Sequence, residues 1–236
     1  MLSSGMKRLG TRKIGPVIVT VAAMLSPTWS WATAEQDPWE NVNRAIFRFN
    51  DTLDTYALKP VAQGYQKITP ELVQKGVTNF FNNIGDVANL ANNLLQGKVQ
   101  HAGVDTSRVL FNSTFGVLGV MDVATPMGLQ RNNEDFGQTL GVWGVGSGSY
   151  VMLPFFGPST VRDGIGLVPN AYMGPYPYMN NMGVRNGMYA LDVVDDRANL
   201  LAAEKLITGD RYVFIRNAYL QNREYLIKDG EVVDDF

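Results

Sequence analysis

The segment TPELVQKGVTNFFNNIGDVANLANNLLQG, residues 69–97, decides the fold class. Thr69, Pro70 and Glu71 form a helix-start signal, and Gly97 can end the helix. Between these ends the apolar residues recur at spacings of three and four, which is the period of one helix face. They are Leu72, Val73, Val77, Phe80, Phe81, Ile84, Val87, Leu90, Ala91, Leu94 and Leu95. The segment therefore predicts a long amphipathic helix.

The opposite face of this predicted helix is rich in asparagine. Its amides are Asn79, Asn82, Asn83, Asn89, Asn92 and Asn93. Lys and Glu are better helix formers than Asn, so an ordinary solvated face would be expected to use them. Two interpretations stay open, a solvated face and an uncharged polar wall.

Helical patterns occupy most of the remaining chain. Asp37, Pro38 and Glu40 predict the start of a first helix, which Pro60 is expected to end. Further helices are predicted over residues 99–121, after 133–135, from about 158, over 184–207 and after 210, with an irregular loop over 168–183. Alternation typical of a strand occurs only around residues 150–155. The sequence thus predicts one all-α domain over residues 35–230.

The N-terminal residues have the pattern of an export signal. Four cations precede an apolar run over residues 14–25, which is short for a membrane span. Ala32, Thr33 and Ala34 then supply the small residues that a signal peptidase recognises. We expect residues 1–34 to be cleaved as a signal peptide, and a retained N-terminal anchor is the alternative. Residues 231–236 form an acidic tail.

Charge and cysteine usage exclude several classes of protein. The chain has 20 basic and 22 acidic residues, and no Cys. Four of the basic residues and none of the acidic ones lie in residues 1–34. The mature chain therefore has a net charge of 16 − 22 = −6. A net acidic chain is not typical of nucleic-acid-binding proteins, and its charge does not attract it to anionic lipid. Any affinity for a membrane would therefore come from burying apolar surface in the lipid. Without Cys we expect no disulfide and no lipid anchor on a cysteine.

The sequence offers little for catalysis. Residues 136–161, FGQTLGVWGVGSGSYVMLPFFGPSTV, are uncharged and Gly-rich, but they match neither a phosphate-binding loop nor a nucleophile elbow. His101 is the only histidine, so a typical zinc site is not expected. We predict no catalytic residue, metal or cofactor.

Several blocks of the chain resemble the MlaA family, also called VacJ. They extend in order from residue 37 to residue 230 and include DPWENVNRAIFRFND, GVTNFFNNI, LFNSTFGVLGVMDVA, EDFGQTLGVWGVGSGSYVMLPFFGPSTVRDG and DRYVFIRNAYLQNREYL. We place the family motif positions at Asp37, Pro38, Asn43, Asn79 and Phe80.

The resemblance implies a function and an architecture. It implies an outer-membrane protein on the periplasmic side that removes misplaced phospholipid from the outer leaflet. It also implies a ring of amphipathic helices in the inner leaflet, with a central amphipathic channel. The partners it implies are trimeric porins and a periplasmic lipid carrier, MlaC in this family. An exported lipid hydrolase and a purely structural porin-associated protein are the alternatives to this lipid-transport role.

The resemblance also assigns a role to the hairpin loop, by which we mean Gly141 through Tyr150. This loop is expected to lie beside the channel, and an ordinary apolar core loop is the alternative. Glycine permits tight turns, and a loop that passes acyl chains should lack charge. Its candidate residues are Gly141, Trp143, Gly144, Gly146, Gly148 and Tyr150, of which Trp143 and Tyr150 are expected at the bilayer interface. The candidates for membrane-facing helix residues are Trp39, Ile46, Phe49, Phe80 and Phe81.

Overall fold

The computed structural model of this protein describes residues 37–230, which belong to one compact unit. The predicted signal peptide and the acidic tail lie outside the described residues. The prediction of an all-α fold is confirmed. The helices are α1 (Glu40–Leu53), α2 (Lys59–Ile68), α3 (Glu71–Leu95), α4 (Val99–Thr114), α5 (Phe136–Val142), α6 (Val161–Met173), α7 (Met182–Leu200) and α8 (Arg211–Ile227).

Local capping chemistry sets several of the helix ends. The carboxylate of Asp135 accepts a hydrogen bond from the backbone N–H of Gln138 at the start of α5. Asp210 does the same for α8, accepting from Tyr212 and Val213. Gly97 has a φ of 75° just beyond α3, a conformation that favours glycine. The predicted boundaries at these three residues are confirmed.

The expected end of the first helix at Pro60 is wrong. A π-helical segment, Asp54–Leu58, joins α1 directly to α2, and Pro60 lies in the first turn of α2. Proline is tolerated in a first helical turn, where its missing N–H would have no partner within the helix. The chain therefore stays helical from residue 40 to residue 68.

Helices α4 and α7 also differ from their predicted bounds. Helix α4 ends at Thr114 rather than 121, because Val117, Leu118 and Gly119 have positive φ values of 53°, 58° and 92°. A Cβ atom on Gly119 would lie 2.5 Å from the Cβ atom of Asn83, so this turn packs closely on α3. Helix α7 ends at Leu200, and a short 3₁₀ helix, Ala203–Leu206, follows it.

A two-stranded antiparallel sheet lies between the hairpin loop and α6. Strand β1 (Tyr150–Leu153) pairs antiparallel with β2 (Gly157–Thr160), and Tyr150 lies opposite Thr160. The suggested strand at residues 150–155 is thereby confirmed in part. Since β2 occupies residues 157–160, α6 begins at Val161, with the hydroxyl of Thr160 as its N-cap.

The interior of the fold is polar. Among residues 37–230, twenty polar or charged residues are buried against eight apolar ones. The buried apolar cluster consists of Tyr150, Met152 and Tyr212. A water-soluble domain usually has the opposite distribution, with its charged residues outside. The described fold therefore turns polar groups inward and leaves much apolar surface outward.

Candidate functional site

A buried ionic network joins α3 to α4. The carboxylate of Asp86 is fully buried and accepts hydrogen bonds from Nε of Arg108 and Nε of Arg131, each at 2.9 Å. Arg108 also donates to the hydroxyl of Thr125 at 3.0 Å and to the carbonyl of Leu129 at 2.7 Å. Buried charges are tolerated when they are paired and hydrogen-bonded in this way. The network fixes α3 against α4 and the segment that follows α4.

The asparagines of α3 extend this network. Asn93 donates to Asp105 at 2.7 Å, and Asn132 donates to the same carboxylate at 2.7 Å. Asn89 donates to the carbonyl of Asn132 at 2.7 Å. Burial raises the pKa of Asp105, and these amide bonds partly oppose the rise. Neither a solvated face nor an uncharged wall describes these positions, because the amides are buried among charged groups.

A second ionic cluster lies between α5, α6 and α8. Arg223 donates to Asp135 and, at 2.9 Å, to Asp163. Tyr219 donates its hydroxyl to Asp163 at 2.7 Å. Burial alone would raise the pKa of Asp135, but the bonds from Arg223 outweigh it and the net pKa lies below the usual value. This cluster lines a cavity of about 210 Å³, whose remaining walls include Leu153 and other apolar residues.

The outer surface is strongly apolar. Its most exposed large side chains include Leu72 at 82%, Ile68 at 80%, Phe156 at 76% and Phe115 at 70%. We call the exposed large apolar side chains of residues 37–230 the apolar belt. Exposed apolar side chains in this number are typical of a protein that contacts a membrane or another protein. Within the described residues, no helix has the length and hydropathy needed to cross a bilayer.

The five candidate membrane-facing residues do not share one environment. Trp39 and Phe49 are about half exposed and belong to the apolar belt. Ile46 packs against the buried Tyr150–Tyr212 cluster, and Phe80 is partly buried. Phe81 is 8% exposed and packs edge-on against Phe80, so its assignment as membrane-facing is wrong. Adjacent residues on a helix point about 100° apart, so these two rings face different surroundings.

The hairpin loop is exposed in its middle. Gly144 and Gly148 have positive φ values of 87° and 66°, which glycine adopts readily. A Cβ atom on Gly146 would have no neighbouring atom within 4 Å, and the φ of Gly146 is ordinary. Trp143 is about half exposed and donates its indole N–H to the carbonyl of Leu95 at 3.1 Å.

Tyr150, at the end of the loop, is 1% exposed, so the expectation of a bilayer-interface position is wrong. Its ring packs edge-on against the rings of Tyr212 and Tyr219. The reason is that β1 directs Tyr150 inward, toward the two tyrosines of α8. Tyr150 anchors the hairpin loop in the apolar cluster.

The first turn of α6 holds the C-terminal half of the loop. The backbone N–H groups of Val161 and Arg162 donate to the carbonyls of Ser149 and Ser147, both at 3.1 Å. The buried guanidinium of Arg162 donates to the carbonyl of Val145 at 3.4 Å and, through Nε, to Asp163 at 3.0 Å. A Cβ atom on Gly141 would lie 3.0 Å from this guanidinium. The backbone of the loop is therefore held at Val145, Ser147 and Ser149, while a side chain at position 146 would have open space around it.

The family-motif residues connect distant parts of the chain. Asp37 is buried and accepts from Asn43 at 2.8 Å, from the hydroxyl of Tyr212 at 2.6 Å and from Arg216 at 3.0 Å. Its predicted role as a helix cap is wrong, because its side chain binds α8 instead. The amide of Asn43 also pairs with the backbone of β1. Pro38 is exposed, and Asn79 donates to the carbonyl of Val120 at 3.1 Å.

His101 has no catalytic surroundings. Its Nδ1 is buried without a hydrogen-bond partner, and its carbonyl accepts from Asn132 at 3.2 Å. The described residues contain no group of three or more His, Asp or Glu side chains arranged to hold a metal ion.

Sequence reasoning missed a set of charges between α3 and α7. Tyr176 stacks on Tyr189 of α7 with ring centroids 4.2 Å apart, and its hydroxyl faces Asp192 at 3.5 Å. Burial, and next the charge of Asp196, raises the pKa of Asp192 to about 6. Arg131 opposes this rise. The helical spacing of Asp192, Asp195 and Asp196 was visible in the sequence. Arg131 lies 61 residues before Asp192, so nothing in the sequence connects the two.

An all-α fold with an ion-paired interior and an apolar exterior is typical of a helical protein that associates with a membrane or with another protein. The comparison with known families agrees with this class and makes it specific. The chain belongs to the MlaA family, since the family model described as MlaA lipoprotein matches residues 35–226. The resemblance inferred from the sequence blocks is thereby confirmed.

Relatives and a solved structure give the same result. The chain is 35% identical over 204 residues to the intermembrane phospholipid transport system lipoprotein MlaA of Shigella flexneri, a match that covers 83% of this chain and 80% of the relative. The protein of the same description from Haemophilus influenzae is 34% identical over 206 residues, with 84% and 82% covered. A solved structure described as the structural basis for maintenance of bacterial outer membrane lipid asymmetry matches with a TM-score of 0.72 and 32% identity. It covers 81% of this chain and 98% of that one.

Proposed function

We propose that this protein removes mislocalised phospholipids from the outer leaflet of the outer membrane and passes them to a periplasmic lipid carrier. The observation that carries the proposal is the reversed polarity of residues 37–230, with ionic networks inside and the apolar belt outside. A phospholipid fits this distribution, because its headgroup needs polar partners and its acyl chains need apolar surroundings. The relatives named as parts of an intermembrane phospholipid transport system support it.

The apolar belt supports a position within one leaflet on the periplasmic side. Amphipathic helices lie in the plane of a membrane interface and bury one face in the acyl chains. In this arrangement α1 to α8 form a ring of helices, and phospholipid moves through a central amphipathic channel. Residues 35–230 act as one domain after removal of residues 1–34. The process needs no catalysis by this chain and no cofactor.

Two protein partners complete the proposal. A trimeric outer-membrane porin is the expected neighbour in the membrane, and an MlaC-like carrier is the expected acceptor of the lipid. Both are partners that the resemblance of the sequence blocks implies. The apolar belt suits the first, because a porin exposes an apolar band of similar chemistry to the bilayer.

The hairpin loop is the proposed gate of the channel. The open space around Gly146 and the few hydrogen bonds that hold the loop to α6 suit a segment that moves without unfolding the domain. The absence of charge from residue 136 to residue 161 lets acyl chains pass without desolvating an ion. The gate residues in this proposal are Gly141, Trp143, Gly144, Gly146 and Gly148.

Gly146→Val tests the gate. A valine side chain meets no close neighbour at this position, so the fold should be unaffected, but β-branching stiffens the backbone of the loop. We expect the amount of phosphatidylethanolamine on the cell surface to rise toward the level of cells that lack the protein. Labelling of intact cells with a membrane-impermeant amine reagent measures it.

Gly103→Val is the matched control, because Gly103 is exposed on α4 with no atom near its Cβ position. Gly144→Val is a poorer test, since its φ of 87° strains any other residue. If Gly146→Val accumulates normally and surface phosphatidylethanolamine stays at the wild-type level, the loop is not a gate.

A further inference from the structure

We propose that the cavity between the two-stranded sheet, α6 and α8 binds the ester-linked start of a phospholipid acyl chain, with the ester carbonyl on Asn170 and Arg223. This inference rests on the proposed function, because it names the part of the phospholipid that the protein recognises. It predicts that a diacyl phospholipid is bound in preference to a dialkyl phospholipid, in which ether links replace the esters.

The cavity combines apolar and polar walls in a small volume. Small-molecule sites typically have such walls, in which a few polar groups fix the orientation of the ligand. The volume of about 210 Å³ exceeds the roughly 150 Å³ of a cavity that holds one benzene molecule, and it is below the roughly 300 Å³ at which sites for larger ligands begin. It therefore suits an ester group with a few methylene groups rather than a whole phospholipid. The apolar walls are Leu153, Phe156, Pro158 and Leu167, and the polar walls are Asp135, Ser159, Asp163, Asn170, Tyr219 and Arg223.

The cavity opens at the apolar belt. Two of its wall residues, Phe156 and Leu167, are exposed by 76% and 41% and belong to the belt. An acyl chain that lies along the belt can therefore place its ester end in the cavity while its methylene groups stay in apolar surroundings.

Two polar wall residues keep hydrogen-bond donors without a partner. The side-chain oxygen of Asn170 accepts from Nδ2 of Asn92 at 3.0 Å and from the backbone N–H of Phe136 at 3.2 Å, which fixes the orientation of the amide. Its own Nδ2 donates to no group among residues 37–230. Arg223 is 7% exposed, and its Nε is buried without a hydrogen-bond partner. Buried donors without partners are rare in native proteins, and a ligand that carries an acceptor would supply the missing partner.

The charges of the cavity are already balanced. Asp135 accepts from both terminal nitrogens of Arg223. Asp163 accepts from Arg223 at 2.9 Å, from Nε of Arg162 at 3.0 Å and from the hydroxyl of Tyr219 at 2.7 Å. Two arginines thus pair with two aspartates. A neutral acceptor suits this cavity better than an ion does, because a buried ion would find no unpaired charge of opposite sign.

An ester carbonyl meets both requirements. Its oxygen is an uncharged acceptor, and it continues directly into the methylene groups that the apolar walls need. In a dialkyl phospholipid a methylene group replaces this carbonyl, so the donors of Asn170 and Arg223 would stay without a partner.

A lipid-competition experiment tests the inference. Purified protein in mild detergent is incubated with mixed micelles that contain equal amounts of diacyl and dialkyl phosphatidylethanolamine with the same number of carbons in each chain. Bound lipids are then identified by native mass spectrometry. We expect the wild-type protein to favour the diacyl lipid roughly fivefold, as one net hydrogen bond provides.

Two variants and a control locate the preference in the cavity. Asn170→Asp keeps the oxygen that accepts from Asn92 and Phe136 but removes the amide donor, so it should bring the ratio of the two bound lipids toward one. Leu167→Trp places a larger side chain at a partly exposed wall position and should fill the cavity, with the same effect on the ratio. Val168→Trp is the matched control, because Val168 is the next residue of α6, is 64% exposed and is not a wall residue. It should keep the wild-type ratio.

The possible outcomes distinguish this inference from the proposed function. If the wild-type protein binds both lipids equally, or if either cavity variant keeps the wild-type ratio, the ester site is wrong and the transport role stands. A preference that Val168→Trp abolishes as well would place the recognition outside the cavity and overturn the inference. If the wild-type protein binds neither lipid, the transport role fails and the ester site fails with it.

Discussion

Arg108→Ala is expected to lower the free energy of unfolding by about 3–5 kcal/mol, because it leaves a buried carboxylate without its main partner. Arg108 is 2% exposed and bonds directly to Asp86, which is completely buried. It also holds Thr125 and the carbonyl of Leu129, so three interactions disappear together. Denaturant unfolding in detergent micelles, followed by circular dichroism, measures the change.

Lys75→Ala is the matched control for this change. Lys75 is also a helical cation, but it pairs with Glu71 on the surface at 2.8 Å, and such exposed pairs contribute about 0.3–0.5 kcal/mol. Adding Asp86→Asn to Arg108→Ala should recover part of the lost stability, because it removes a fully buried charge that would otherwise have Arg131 as its only ion-pair partner. A loss for Arg108→Ala as small as that for Lys75→Ala would show that the ionic interior does not stabilise the fold.

The second large effect is expected from the apolar belt. Replacing Ile68, Leu72, Phe115 and Phe156 by Ser should release the protein from membranes. Each of these side chains is at least 70% exposed, and burying one in acyl chains contributes about 1.5–3 kcal/mol, or about 6–12 kcal/mol for all four. Flotation of the purified protein with phospholipid vesicles measures the bound fraction.

The fold of this quadruple variant should be intact, since none of the four side chains belongs to the buried cluster. Serine at the exposed positions of Arg48, Gln63, Lys67 and Gln100 is the control, and this variant should float with the vesicles. If the quadruple belt variant also floats like the wild-type protein, the belt is not what holds this chain to a membrane.

Several features of the fold were predictable because they depend on local chemistry. Asp135 and Asp210 precede their helices as capping residues, and Gly97 ends α3 with a left-handed backbone. Each of these signals acts within four residues of the chain, so no knowledge of tertiary contacts is required. The three- and four-residue spacing of apolar residues in α3 is also a local signal.

The direction in which each helix face points was not predictable. Amphipathic spacing separates two faces, but it does not state which face is buried when the surroundings include lipid. The asparagines of α3 consequently lie inside, and Phe81 has to be assigned from the structure. Asp37 is a similar case, because its partner Arg216 lies 179 residues away.

The candidate site shows the same limit. The role of the hairpin loop was predicted from the resemblance to a family, with which its glycines and lack of charge agree. Tyr150 does not lie where it was expected, because β1 turns it inward. The spacing of Asp192, Asp195 and Asp196 along α7 was visible in the sequence. The electrostatic influence of Arg131 on Asp192 was not, because the two residues are 61 positions apart and only the tertiary fold relates them.

The central claim is that this protein keeps phospholipid out of the outer leaflet, and surface labelling of phosphatidylethanolamine tests it most directly. Cells without the protein, cells with the wild-type protein and cells with the Gly146→Val variant are treated with a membrane-impermeant amine reagent. We predict more labelled phosphatidylethanolamine in the absence of the protein, and a return to the basal amount when the wild-type protein is restored. Equal labelling with and without the protein would contradict the account.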